Sequence, residues 1–297
     1  GKPLKLIWNF TIPLLIGNLF QQLYNMADTF IVGRTIGVQA LAAVGSTGSI
    51  VFLIIGFATG LTAGLAIPLA QRFGAKDYKG VKHSFYVSIL ISIAVAIVLT
   101  ALSMIFCRQI LEIMQTPSEI IDGAYDYLIV IFGGIFSSMA YNLLSNIFRS
   151  IGDAKTPLYF LVMACVMNII LDIVFIAVFG MGVEGAGYAT VLSQIFSAVA
   201  CVVYIWKKIP VLRLTKEDLV ATKRNIREHC RISFPMAFQA SIIAIGTIMV
   251  QIALNQLGPT SVAAHTAAQK IDQLAILPMM SFGVTMATYS AQNFGAK

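Results

Sequence analysis

An all-α protein that crosses a membrane many times is what this sequence predicts, built as two parallel six-helix repeats of which about eight helices lie within the chain. Three observations carry that reading. The 297 residues are 58% hydrophobic and only 11% charged, well below the roughly 25% charge of soluble domains. Apolar runs of bilayer-crossing length, about 20 residues, recur along the whole chain. Finally, the heptad AQRFGAK (Ala70 to Lys76) returns as AQNFGAK (Ala291 to Lys297).

The apolar runs fall at 7–32, 46–71, 84–106, 124–148, 157–179, 185–206, 232–255 and 264–290. The first reads as an integral span and not a cleaved signal. It exceeds an h-region in length, carries Asn18, Gln21, Gln22, Asn25 and Asp28, and no small-residue cleavage site follows it. Lys and Arg decide orientation. With the N-terminus cytoplasmic, Lys2, Lys5, the cluster from Arg72 to Lys82, Arg149, Lys155 and the basic run from Lys207 to Arg231 all face the cytoplasm, leaving Arg34 and Arg108 outside and Lys270 in or near the last span. The net charge of +7 is therefore topological, and nucleic acid is not needed to explain it. The expected location is the plasma membrane, with the chain passing through it repeatedly.

Aligning the two heptads pairs 37–76 with 258–297, with Gly37/Gly258, Ala43/Ala264, Ile50/Ile271, Leu53/Leu274 and Ala66/Ala287 among the identities. Chance likeness between two Ala- and Gly-rich helices is the plain alternative; the unbroken heptad at a helix exit argues against it. Six spans separate the copies, so both enter the membrane from the same side. That is a parallel repeat about an axis along the membrane normal. The expected organisation is an N-terminal six-helix lobe over 1–206, a basic cytoplasmic linker over 207–231, and the first two helices of a second lobe over 232–297, an incomplete copy of a twelve-helix protein.

An ionisable side chain inside a span costs roughly 2.5–3.5 kcal/mol on insertion scales and is a functional candidate by default. Asp28 and Asp172 qualify. Steps of three and four put Asn18, Gln21, Gln22 and Asn25 on the helical face of Asp28, and Gln21 and Asn25 are candidates to line a cavity. Asn168 lies one turn before Asp172. On the sixth run Thr190 falls at a similar depth, with Gln194 one turn further in. A carboxylate near the interface that merely reaches water is the alternative for Asp28 alone. Two carboxylates grouped with amides and a hydroxyl instead compete for protons or a small cation, as a cation-coupled carrier requires.

Other chemistry finds little support. The cysteines Cys107, Cys165, Cys201 and Cys230 form no CxxC pair, which leaves them as apolar filler. His83, His229 and His265 are isolated, and the sequence has no HExxH, GxSxG or Walker A motif, so a membrane-embedded enzyme or ATP-driven pump is disfavoured and no cofactor is expected. A flippase of lipid-linked precursors would need a basic central cavity, and the first two helices carry no intramembrane Lys or Arg.

The stretches MADTFIVGRTIG, RSIGDAKTP, NIILDIVF, GVEGAGYATVLSQ and VAAHTAAQKIDQLAILPMMSFG together resemble the multidrug and toxic compound extrusion (MATE) family over the whole chain, through the first eight of its twelve helices. The resemblance implies export of small organic cations or amphipathic drugs in exchange for H+ or Na+, by a monomeric carrier. It further implies a coupling site of Asp28, Tyr127, Asn142, Asn168, Asp172 and Thr190, with Na+ at Asp28, Asn168, Asp172 and Thr190 as one option, and a hinge at Pro13. In another branch of the family an acid on the seventh helix forms a C-terminal cation site; FPMAFQASIIAIGTIMVQIAL has no acid, which favours coupling in the N-terminal lobe.

Overall fold

A computed structural model describes the backbone over residues 2–114, 116–256 and 259–296, and the side chains there except at 38, 248, 251–267, 269–271, 273 and 274. His265 and Lys270 lie outside the described side chains. Helix follows helix: α1 (Pro3–Thr35), α2 (Val38–Ser46), α3 (Gly48–Gly74), α4 (Tyr78–Ile105), α5 (Cys107–Ile113), α6 (Ile121–Gly133), α7 (Ile135–Ser150), α8 (Lys155–Asp172), α9 (Val183–Lys208), α10 (Lys223–Gln256) and α11 (Pro259–Gly295). Among the described residues, five helices are long and apolar enough to cross a membrane. The pair α6 and α7, bent by 47°, is long and apolar enough when taken together.

Local chemistry explains most of the boundaries. Pro3 opens α1 where its missing N–H costs nothing. At the end of α7 the Asp153 N–H donates to Phe148 O and the Gly152 N–H to Arg149 O, a Schellman closure in which Gly152 takes φ +92°. Asp153 then accepts from the Lys155 and Thr156 N–H groups, both at 3.0 Å, and starts α8. The sequence reading treats 124–148 as one span; Gly133 and Gly134, poor helix formers, bend it. The run read as a span over 157–179 is matched by one candidate span over Lys155–Val178, with a change of helix type inside it. The α-helix stops at Asp172 and a π-helical turn follows over Ile173–Val178.

The segment expected as a linker, 207–231, is helical at both ends. Helix α9 runs through Lys208 and α10 already begins at Lys223, because its first turns are held by partners. Glu228 pairs with Arg72 at 2.9 Å. Between these helices Thr215 and Asp218 form a capping box, and Lys82 reaches Asp218 at 3.2 Å.

Leu61, Leu65, Leu69, Phe132 and Phe148 form the centre of the apolar core, fully buried between α3, α6 and α7. Outward-facing apolar side chains such as Ile97, Trp206 and Ile242 remain exposed, as suits a surface solvated by lipid. Helix α10 lies along α3 at glycine distance. Gly60 and Gly64, four residues apart, face the α10 backbone; a Cβ on Gly60 would fall 2.6 Å from Met236 O, and one on Gly64 2.5 Å from Ser233 Cα. Small residues at this spacing let two membrane helices touch backbone to backbone.

The two repeat copies differ in one respect. The first is broken into α2 and α3 at Thr47, whereas the second is the single helix α11. Gly45 and Gly48 stand at the break, and the matching positions hold Thr266 and Gln269, which keep helical backbone at lower cost.

Candidate functional site

Helices α1, α8 and α9 bring the candidate residues together. Asp172 is fully buried, Asn168 is 1% exposed and Asp28 9%. Each is turned away from the molecule's surface. The Asn168 Nδ2 group donates to Thr190 Oγ1 at 3.4 Å, so α8 and α9 are tied beside the acids. The two carboxyl groups face each other, and Tyr24 and Tyr127 lie within electrostatic reach of both. Asp172 also occupies the junction between α-helix and π-turn, a backbone irregularity that recurs at functional sites.

The electrostatic balance at this cluster is unusual. Asp28 Oδ1, Asn168 Oδ1 and both carboxyl oxygens of Asp172 are buried with no N–H or hydroxyl bonded to them among the described residues, and the two carboxyl groups lie within hydrogen-bond reach of each other. Acceptors therefore outnumber donors where the two carboxyl groups meet. Coulomb repulsion at low dielectric makes a positive charge, either a proton or a small hard cation, the natural complement.

Tyr24 was not among the residues singled out from the sequence. Its hydroxyl lies 3.1 Å from Thr190 Oγ1, which links α1 to α9 at the cluster. The signal was available: Tyr24 precedes Asp28 by one helical turn and so shares its face. Tyr127 comes from α6 and also packs beside Val32, Ile176 and Ala186.

Asn142 lies on α7, beside the helices that carry the acids. Its Nδ2 donates to Ser138 O at 2.8 Å within α7, and no hydrogen bond joins it to the acids. It lines a neighbouring cavity of about 320 Å³, bounded by α1, α3, α7, α8, α9 and α11. Gln21, Gln194, Tyr24, Asn168 and Pro13 line the same cavity, Pro13 within the continuous helix α1. Asn25 does not. It faces a separate groove with Gln22, Met26 and Thr29.

Polar contacts tie the last two helices to the first six spans. Thr11 Oγ1 lies 2.9 Å from Thr285 Oγ1, Asn18 donates to Ser281 at 3.0 Å, and Gln292 Nε2 donates to Ser150 O at 2.7 Å. Arg72 adds contacts to Glu228 and Asn225. None of these pairs was foreseen from the sequence, since hydroxyls and amides on separate helices give no signal until the helices are placed.

Comparisons with known proteins agree with this architecture. The chain is 30% identical to the probable multidrug resistance protein YpnP of Bacillus subtilis, over 99% of this chain and 66% of that protein. It is 27% identical to the probable multidrug resistance protein NorM of Thermotoga maritima, over 95% of this chain and 61% of NorM. It thus spans about two thirds of the length of the curated relatives it matches. Among solved structures, a MOP superfamily transporter from Pyrococcus furiosus and an outward-facing multidrug resistance MATE family transporter each superpose with a TM-score of 0.93 at 28% identity, covering 100% of this chain and 66% of theirs. The MatE family model matches residues 13–174 and 235–297, which is most of the chain and includes both acids. A chain of membrane-spanning helices with this fold and this match belongs to the MatE family.

Proposed function

We propose that the protein is a secondary active multidrug exporter, moving cationic or amphipathic organic compounds out of the cell in exchange for H+ or Na+, with coupling at Asp28 and Asp172. One observation carries the assignment: four buried oxygen acceptors, on Asp28, Asn168 and Asp172, meet with no N–H or hydroxyl bonded to them. Such a group binds a positive charge in preference to any neutral ligand. Tyr24, Thr190 and Tyr127 surround it and complete a polar pocket reached from the adjacent cavity through Asn168 and Tyr24. Asn142 contributes to the cavity wall.

The lobe over 1–206 and the one that includes 232–297 rock against each other, and the basic end faces the cytoplasm by the positive-inside rule. The Thr11–Thr285, Asn18–Ser281 and Gln292–Ser150 contacts, which tie α11 to α1 and α7, support reading this conformation as outward-facing. A proton or Na+ entering from outside binds the acids and favours a different arrangement of α1 than the bound compound does, so the two ligands are exchanged. Pro13 interrupts the hydrogen-bond ladder of α1 and is where that helix bends. The carrier works as a monomer in the plasma membrane and needs no cofactor.

The test is uptake of a fluorescent organic cation into inverted membrane vesicles from cells expressing the whole protein, under an imposed H+ or Na+ gradient. Uptake driven by one of these gradients and lost in Asp28→Asn and Asp172→Asn is the expected result. Gradient-driven uptake that survives both substitutions at normal expression would sink the assignment of the coupling site. Absence of uptake under either gradient would remove the antiport reading itself.

A further inference from the structure

The cavity beside the acids has a charged side chain that the reading of the sequence counted among the loops. Arg149 lies in the last turn of α7, and its side chain turns onto the cavity wall between α7 and α8 instead of into solvent. It also borders a smaller pocket toward α10 and α11. No acidic side chain lines the cavity, and Arg149 takes part in no ion pair among the described residues. One of its terminal nitrogens donates to Asn146 Oδ1 at 3.2 Å. Its Nε is buried with no partner.

Arg149 does not stand alone. Tyr141, Ser145 and Arg149 follow one another at steps of four, one above the next on a single face of α7, and all three line the cavity. Ser145 Oγ is buried and, like Arg149 Nε, lacks a hydrogen-bond partner. A hydroxyl and a permanent cation whose Nε is unmatched therefore share one wall of this mixed polar and apolar cavity. Leaving buried donors unmatched is costly. A planar guanidinium beside a hydroxyl is suited to a carboxylate or phosphate.

We infer that Arg149 and Ser145 form an anion-anchoring subsite in the transport cavity, so that the preferred substrates are amphiphiles bearing a carboxylate or phosphate group. The inference rests on the reading of this cavity as the transport path, and narrows its substrates to amphipathic compounds with a negative head. The anionic group binds near the basic end at Arg149, while the apolar body lies against Leu158, Leu161 and Met280, which line the same cavity. The Asp28 and Asp172 cluster sits apart from that anchor, so coupling ion and substrate head occupy opposite ends of one path.

The experiment is equilibrium binding to the purified full-length protein in neutral detergent, which requires no ion gradient and so fails or succeeds independently of the antiport assay. Two probes are used, the fluorescent carboxylate dansyl-undecanoate and the cation ethidium. Dansyl-undecanoate is expected to bind, with affinity roughly tenfold or more weaker in Arg149→Gln, an intermediate loss in Arg149→Lys and a smaller one in Ser145→Ala. Ethidium binding should not weaken in any of them. Displacement of the dye by lysophosphatidylglycerol supports a lipid head as the occupant, and displacement by octanoate supports a soluble organic anion. Failure of the wild-type protein to bind the carboxylate, or affinity within twofold of wild type in Arg149→Gln, overturns the proposal. Should Arg149→Gln not fold, unchanged affinity in both Arg149→Lys and Ser145→Ala overturns it equally.

Discussion

Gly74 packs directly against the backbone carbonyl of Gln292. The relationship is reciprocal, since Gly295 packs against the carbonyl of Gln71. In the alignment of the repeats Gly74 matches Gly295 and Gln71 matches Gln292, so the two AQ-x-FGAK heptads grip each other as a two-fold pair does, residue i on j and j on i. A Cβ at either glycine would meet main-chain atoms, which cannot swing aside as a side chain can.

Gly74→Ala and Gly295→Ala should each therefore loosen the closed basic end, by about 1–3 kcal/mol if the helices shift as overpacked cores do. Spin labels on the α3 and α11 exits would report it as a longer or broader distance. Because the pair is symmetric, both substitutions should act alike, and an unchanged distance in both would remove the glycines from the closure.

The ion pair of Arg72 and Glu228 at 2.9 Å joins the first lobe to the opening turns of α10. Its side chains are 18% and 39% exposed, so solvent screens it and the coupling should be modest, about 0.5–1 kcal/mol. A double-mutant cycle with Arg72→Gln and Glu228→Gln, read by thermal unfolding in detergent, measures it. Raising the salt concentration should shrink the coupling.

Tyr24→Phe and Thr190→Ala remove the two ends of one 3.1 Å contact. Each should weaken the coupling ion's apparent affinity by about tenfold, corresponding to a neutral hydrogen bond of about 1–1.5 kcal/mol. The double variant should be little worse than the poorer single one, since both delete the same bond. Additive losses in ion-dependence curves would show that the hydroxyls act separately.

Asp218 anchors the linker, with its carboxylate accepting from the Thr215 hydroxyl at 2.7 Å and the Thr215 N–H at 2.8 Å. These bonds, with Lys82 alongside, hold its carboxyl down to about 2. A depressed value means that the stabilisation is fully present above the ordinary value near 3.8 and is lost as pH falls through about 2. Asp218→Asn should lower stability at neutral pH by about 1 kcal/mol, as for a lost cap. The difference from wild type in thermal unfolding should close as the pH is lowered from 5 to 2.

The order and character of the helices could be read from the sequence because they depend on local quantities. Apolar length marks the spans, and the spacing of Asn168 to Asp172 or Gln21 to Asp28 follows from helical periodicity alone. The pairing of the two acids was also legible, because few side chains can justify ionisable groups in a span. Gly133, Gly134 and the turn after Asp172 blurred the boundaries, since a bend or a π-turn leaves hydropathy unchanged.

What the sequence determined by itself was a family of amphipathic and apolar helices, a repeat in register, and two buried carboxylates that needed company. Only the tertiary structure decided which neighbours they have. It turned Asn25 away and Tyr24 toward the acids, and it placed Arg149 on a cavity wall. It also set the repeated heptads against each other. Those outcomes depend on the rotation and close approach of helices distant in the chain, set by contacts such as Gly64 on Ser233 that no single segment encodes.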